Sequence, residues 1–158
     1  MAEAKVEQLV CFQVGGETYG VDIAAVHEII RMQEITSVPR TPDFVEGVIN
    51  LRGRVIPVID LHKRLGLPAV NETQNSRIIV VEVEGVTVGM IVDSVSEVLR
   101  LAADRIDDPP AVIAGVDSAF IRGVGRLDDS LIILMDLNAV LHRKEKTELK
   151  ELDQELAN

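Results

Sequence analysis

The sequence predicts a mainly β protein built from two small β-barrel subdomains packed together, and three observations carry that prediction. Of the 158 residues 47% are hydrophobic but only 3% aromatic, so the core must come from Val, Ile and Leu, which favour strands. The apolar runs are short and separated by glycine-containing turns. The chain also matches itself without gaps in two places, in the same order, as a duplication would. Short, tightly curved strands tend to close into barrels, which removes exposed edges.

In chain order, residues 8–14 read as a strand, Gly15-Gly16 as a turn, and 17–21 as a half-exposed strand. From Asp22 the apolar positions Ile23, Val26, Ile29 and Ile30 fall at helical spacing, and Asp22 can cap a first turn, which predicts a short amphipathic helix. Residues 33–38 read as extended, and Pro39 and Pro42 exclude a continuous helix beyond them. Residues 47–61 form a predicted hairpin whose tip presents Asn50, Leu51, Arg52 and Gly53, with the arginine facing solvent or a partner. Asp60 caps a brief helical turn through Leu65 that Gly66 and Pro68 end, and 69–76 is a polar loop.

The pattern then restarts. Val14, Gly16, Thr18, Gly20, Val26, Glu28 and Arg31 fall on Val83, Gly85, Thr87, Gly89, Val95, Glu97 and Arg100. Likewise Gly47, Val48, Leu51, Ile56, Asp60, Leu61 and Leu65 fall on Gly123, Val124, Leu127, Ile132, Asp136, Leu137 and Leu141. Residues 102–119, with Pro109-Pro110, read as a linker with little regular structure. In the tail 143–158, Leu149, Leu152 and Leu156 lie on one helical face, for a segment that docks on a barrel or stays loosely attached. One domain, 7–142, and this tail are the expected organisation.

Function is best sought where the copies differ on the surface. Arg52, Gly53 and Arg54 at one tip correspond to Asp128, Asp129 and Ser130 at the other, and His27 to Ser96. His27 reads as an exposed helix-face residue, and neither His62 nor His142 is paired with carboxylates at metal-ligand spacing, so no metal and no cofactor is assigned. The net charge of −10 argues against nucleic acid. Cys11, the one cysteine, reads as a small buried hydrophobe. No signal peptide and no apolar run of spanning length is visible, which predicts a cytoplasmic protein. Nucleophile-elbow, phosphate-loop, zinc-helix and dinucleotide motifs are absent. Asp60 and Asp136 each follow a strand and precede a helical stretch, where capping explains them more simply than catalysis. A rigid β scaffold with two unlike exposed faces describes an adaptor, not an enzyme.

Over residues 7–142 the sequence resembles the CheW-type chemotaxis coupling proteins. The resemblance rests on Phe12-Gln13-Val14-Gly15-Gly16-Glu17-Thr18-Tyr19-Gly20-Val21-Asp22-Ile23, Val26-His27-Glu28-Ile29, the run from Gly47 to Gly53, that from Val55 to Leu61, and Gly89 to Val95. It implies two intertwined five-stranded SH3-like barrels and no catalysis. It further implies an adaptor at receptor arrays, bridging the cytoplasmic tip of chemoreceptors and the regulatory domain of the histidine kinase CheA. By motif, Ile23, Val26, Glu28, Gly47, Asn50 and Arg52 correspond to the receptor-binding region, an apolar groove near the junction of the barrels, and Gly53, Val95 and Gly123 to kinase contacts. Two other readings remain open at this point. One is a paralogue in another chemosensory circuit, for surface motility or gene regulation. The other is a small β-barrel enzyme using Asp60 or Asp136.

Overall fold

In the computed structural model, residues 5–68, 70–113 and 115–140 are described. The first half runs β1 (Val6–Val14), β2 (Glu17–Asp22), a 3-10 turn (Ile23–Ala25), β3 (Val26–Arg31), β4 (Val45–Leu51), β5 (Arg54–Asp60) and the one-turn helix α1 (Leu61–Arg64). The second runs β6 (Arg77–Val83), β7 (Val86–Val92), β8 (Ser94–Ala102), β9 (Ile106–Asp107), β10 (Val112–Ile113), β11 (Val116–Asp117), β12 (Ile121–Arg126), β13 (Leu131–Met135) and α2 (Leu137–Val140).

The duplication holds in three dimensions, with an exchange. One sheet has the order β3-β6-β7-β5-β4 and the other β8-β1-β2-β13-β12-β9, so each draws strands from both halves. In effect the hairpin β1–β2 has traded places with β6–β7. The first sheet is therefore one continuous stretch, residues 26–92, inserted into the second. Each sheet contains one parallel pair at equivalent places, Gly89 beside Val58 and Gly20 beside Leu134.

Both sheets close in the same way, by the chain returning after the third strand. In the inserted barrel Thr36 bridges to Val48 on β4, and in the outer barrel Asp107 on β9 pairs with Val124 on β12. Gly47 is where that return is tightest: at φ +149°, a Cβ there would lie 2.1 Å from the Thr36 carbonyl oxygen. Gly123, its equivalent, would place a Cβ 3.0 Å from the Asp107 oxygen.

Three apolar clusters follow from strand alternation, because successive side chains point to opposite faces. Leu9, Cys11, Ile132 and Leu134 fill the outer barrel, and their equivalents Ile78, Val80, Ile56 and Val58 fill the inserted one. The intervening residues, including Val10, Phe12, Ile79, Val81, Ile59 and Ile133, face the other way and form one core shared between the barrels. Strands buried on both faces lose polar alternation, so β2, expected to be half exposed, buries Tyr19, Gly20 and Val21.

Two expectations are corrected. The stretch from Ile23 to Ile30 is not a helix: Asp22 does cap, accepting the Ala24 N–H at 2.9 Å, but the turn stops at Ala25 and β3 begins. The β-branched Val26, Ile29 and Ile30 gain more from pairing with β6 than from helix. The linker 102–119 is likewise more ordered than expected, holding β9, the β10–β11 hairpin and two 3-10 turns. Asp60 caps α1 as expected, through the His62 N–H at 2.9 Å. Leu141, His142 and the tail 143–158 lie outside the described residues.

Candidate partner-binding surface

The β4–β5 hairpin tip is a two-residue turn with both central residues at positive φ, Arg52 at 52° and Gly53 at 86°. That pair of signs matches the right-handed twist of the flanking strands. Asn50 fixes it, its Oδ1 accepting the Gly53 N–H at 2.8 Å. A non-glycine residue in the left-handed region carries a cost of order 1 kcal/mol, and here it aims the arginine back over the barrel. The Arg52 guanidinium engages both carboxylate oxygens of Glu28 on β3, Nη1 lying 3.1 Å from Oε1 and Nη2 closing on Oε2. Hydrogen bonding to Arg52 holds the Glu28 carboxyl below the ordinary glutamate range and raises the guanidinium in turn.

This pair crosses the rim of a cavity of about 250 Å³ at one mouth of the inserted barrel. His27, Arg54 and Thr87 complete the polar rim, while Ile56 and Val80 belong to the apolar barrel interior beneath. Arg54 Nη2 donates to Thr87 Oγ1 at 2.9 Å, and His27 Nε2 lies 3.1 Å from Glu82 Oε2. His27 is thus a strand residue with a carboxylate neighbour, not the idle helix-face histidine expected. The Arg52 side chain remains 69% exposed, so the guanidinium is held in place yet accessible.

The equivalent mouth of the outer barrel differs in charge. Asp128 replaces Arg52 and turns instead toward Arg105, at 3.3 Å. Glu97, the equivalent of Glu28, has no ion pair among the described residues. Between the barrels lies a second cavity, of about 330 Å³, whose lining includes Asp22, Glu82, Glu84, Asp136 and Arg122. Ala25, Val83, Met135 and Leu137 add apolar lining to these charged groups.

The sequence-derived candidates separate into three groups. Glu28, Asn50, Arg52 and Gly53 come together at the exposed tip. Ile23, Val26 and Val95 are partly buried against the core shared by the barrels. Gly47 and Gly123 are buried at the two closures, where no Cβ fits without displacing the returning chain. Of the three kinase candidates, Gly53 sits on the inserted barrel and Val95 and Gly123 on the outer one.

His62, without carboxylates at metal-ligand spacing in the sequence, has two carboxylate neighbours in the fold. It is buried, with Nδ1 3.3 Å from Asp60 Oδ1 and Nε2 3.1 Å from Asp93 Oδ1. Asp93 stands far off in sequence, so only the fold reveals the contact. The two ring nitrogens point apart, and no cluster of three or more metal-ligating side chains occurs among the described residues. Asp136 is occupied as a cap, its Oδ1 accepting the Asn138 N–H at 3.0 Å. No helix among the described residues is long and apolar enough to cross a membrane.

Residues 8–145 match the family model described as the CheW-like domain. The chain is 37% identical over 149 residues to the chemotaxis protein CheW of Treponema pallidum, covering 92% of this chain and 88% of that one. It is 36% identical to CheW of Bacillus subtilis, covering 87% and 88%. The crystal structure of the scaffolding protein TtCheW from Thermoanaerobacter tengcongensis superposes with a TM-score of 0.82 at 42% identity, over 89% of this chain and 96% of that one. With the duplicated barrels, these matches establish that the chain belongs to the CheW family of chemotaxis scaffold proteins.

Proposed function

We propose that this protein is a noncatalytic adaptor that couples chemoreceptors to the histidine kinase CheA, working on the cytoplasmic side of the membrane within receptor arrays. The observation that carries the reading is the Arg52 tip: an exposed guanidinium, preset by a strained turn and by Glu28, beside an apolar-floored cavity. Such a rim fits a helical receptor tip that brings apolar side chains to the cavity and a hydrogen-bond acceptor to the guanidinium. Glu28, Asn50 and Arg52 make direct contact in this reading. Ile23, Val26 and Gly47 support the surface from behind. On the kinase side Gly53, Val95 and Gly123 belong to the contact region, with Val95 and Gly123 acting through the outer barrel's strand positions.

Two supports come from what is already accounted for. Asp60 and Asp136 are engaged as helix caps, as an enzyme using them would not require. The relatives are named for chemotaxis and scaffolding.

The test is reconstitution of purified protein with receptor fragments and CheA. Arg52→Glu places a carboxylate beside Glu28, and weakens receptor binding by about tenfold or more with only a small fall in melting temperature. Wild-type protein that neither binds receptor nor alters CheA autophosphorylation would overturn the coupling reading.

A further inference from the structure

We propose that α1 is the lock that sets the angle between the two barrels, with His62 and Arg64 as its positioning residues. The chain passes between the barrels twice, at the turn Ile23–Ala25 and at Asp93. The shared apolar core holds them together, but hydrophobic contact is non-directional, and packed apolar faces slide past one another by small shears. An angle has to be set by contacts that have direction.

Those contacts come from α1. It hangs from β5 of the inserted barrel, and His62 Nε2 reaches Asp93. Asp93 is in turn fastened to the outer barrel, its N–H donating to the Gln13 oxygen and its Oδ2 accepting the Gly15 N–H, both at 2.9 Å. Two residues on, Arg64 Nε donates to the Val140 carbonyl on α2. Its guanidinium carbon lies 5.1 Å from the centre of the Phe44 ring and 4.7 Å from that of Phe120, within cation–π range of both.

Phe44 and Phe120 are equivalents in the duplication, each accepting at its carbonyl the N–H of a capping aspartate, Asp60 at 2.8 Å and Asp136 at 3.0 Å. The guanidinium is therefore clasped between the same residue of both halves. The duplication breaks at the residues doing the clasping. Arg64 is equivalent to Val140, His62 to Asn138 and Asp93 to Ala24, so α2 has neither the cation nor the carboxylate-facing imidazole with which to return these contacts. Between the two equivalent helices, among the described residues, α1 carries the cross-barrel polar connection of this kind, and its substitution by the residues of its twin removes it. If the two partner faces lie on different barrels, the same lock sets how they are presented; that consequence rests on the adaptor reading, and the lock does not.

The experiment measures the distance distribution between spin labels at Arg31→Cys on β3 and Asp129→Cys on the outer-barrel tip, in a Cys11→Ala background, by electron–electron double resonance. The double variant H62N/R64V gives α1 the side chains that α2 carries. The expected result is a distribution broadened about twofold relative to the wild type, with hydrogen exchange inside each barrel unchanged. If that variant does not fold, His62→Asn and Arg64→Lys are measured singly, each expected to broaden the distribution by a smaller amount. A distribution superimposable on the wild type in the folded variants overturns the proposal.

Discussion

Thr36 and Val48 exchange two backbone hydrogen bonds, Thr36 N–H to the Val48 oxygen at 2.9 Å and Val48 N–H to the Thr36 oxygen at 2.8 Å. Through this one bridge the segment after β3 closes the inserted barrel against β4. Gly47 lies under it, and a methyl group there meets backbone that cannot move without opening the seam. Gly47→Ala is therefore expected to cost about 3 kcal/mol or more. At Gly123 the neighbours stand farther off, the Ile106 Cγ2 methyl at 2.9 Å and a backbone oxygen at 3.0 Å, so Gly123→Ala costs less. Urea denaturation of the two variants checks the order.

Tyr19 is 1% exposed, stacked on Phe12 with ring centres 6.0 Å apart, and its hydroxyl has no hydrogen-bond partner among the described residues. Burial, with Glu17 adding repulsion, pushes its pKa up to about 12. An orphaned buried hydroxyl is a net cost, so Tyr19→Phe is expected to leave stability unchanged or raise it by about 1 kcal/mol. Thermal unfolding of the variant measures this, and a clear loss would reveal a partner for the hydroxyl.

The Glu28 carboxyl, depressed chiefly by its hydrogen bond to Arg52, is expected to titrate below its ordinary value of 4.5. Its folded-state pKa is the lower one, so the pair's contribution is present above the ordinary glutamate range and is lost as pH falls through the folded value. A carbon-detected NMR titration reads the Glu28 midpoint directly. In Arg52→Ala the midpoint returns toward 4.5.

Cys11 is 2% exposed inside the outer barrel, and burial, reinforced by Glu97, pushes its thiol up to about 11. Thiolate is the reactive form, so at pH 8 native protein reacts with a disulfide reagent far more slowly than denatured protein. A rate matching the denatured one would place the thiol at the surface.

Much of this fold was legible because its signals are local. The Arg52-Gly53 turn, the Asp60 cap and the equivalence of the two halves all follow from residue types at short spacing. The stretch from Ile23 to Ile30 was not, because three apolar positions fit a helix and a strand equally, and the decision belonged to β6, distant in sequence. The strand exchange was hidden for a related reason. Matching two halves shows which residues are equivalent, but equivalence is silent on whether β1 pairs within its own half or with β8. At the candidate surface, Arg52 was visible as an exposed charge, whereas its bond to Glu28 depended on the barrel curling β3 toward the tip. Arg64 did leave a trace in the sequence, a cation standing where the other half has Val140 in an apolar frame.

The insertion of residues 26–92 into the other barrel also orders events on the ribosome. The β1–β2 hairpin emerges before the other strands of the fold, yet its neighbours β8 and β13 are made after the whole inserted barrel, so its apolar faces wait until that barrel is complete. The inserted barrel meanwhile has all its strands as soon as β7 is out. Such late, long-range pairing slows folding and leaves apolar surface exposed, which makes the nascent hairpin the segment of this chain with most need of a chaperone.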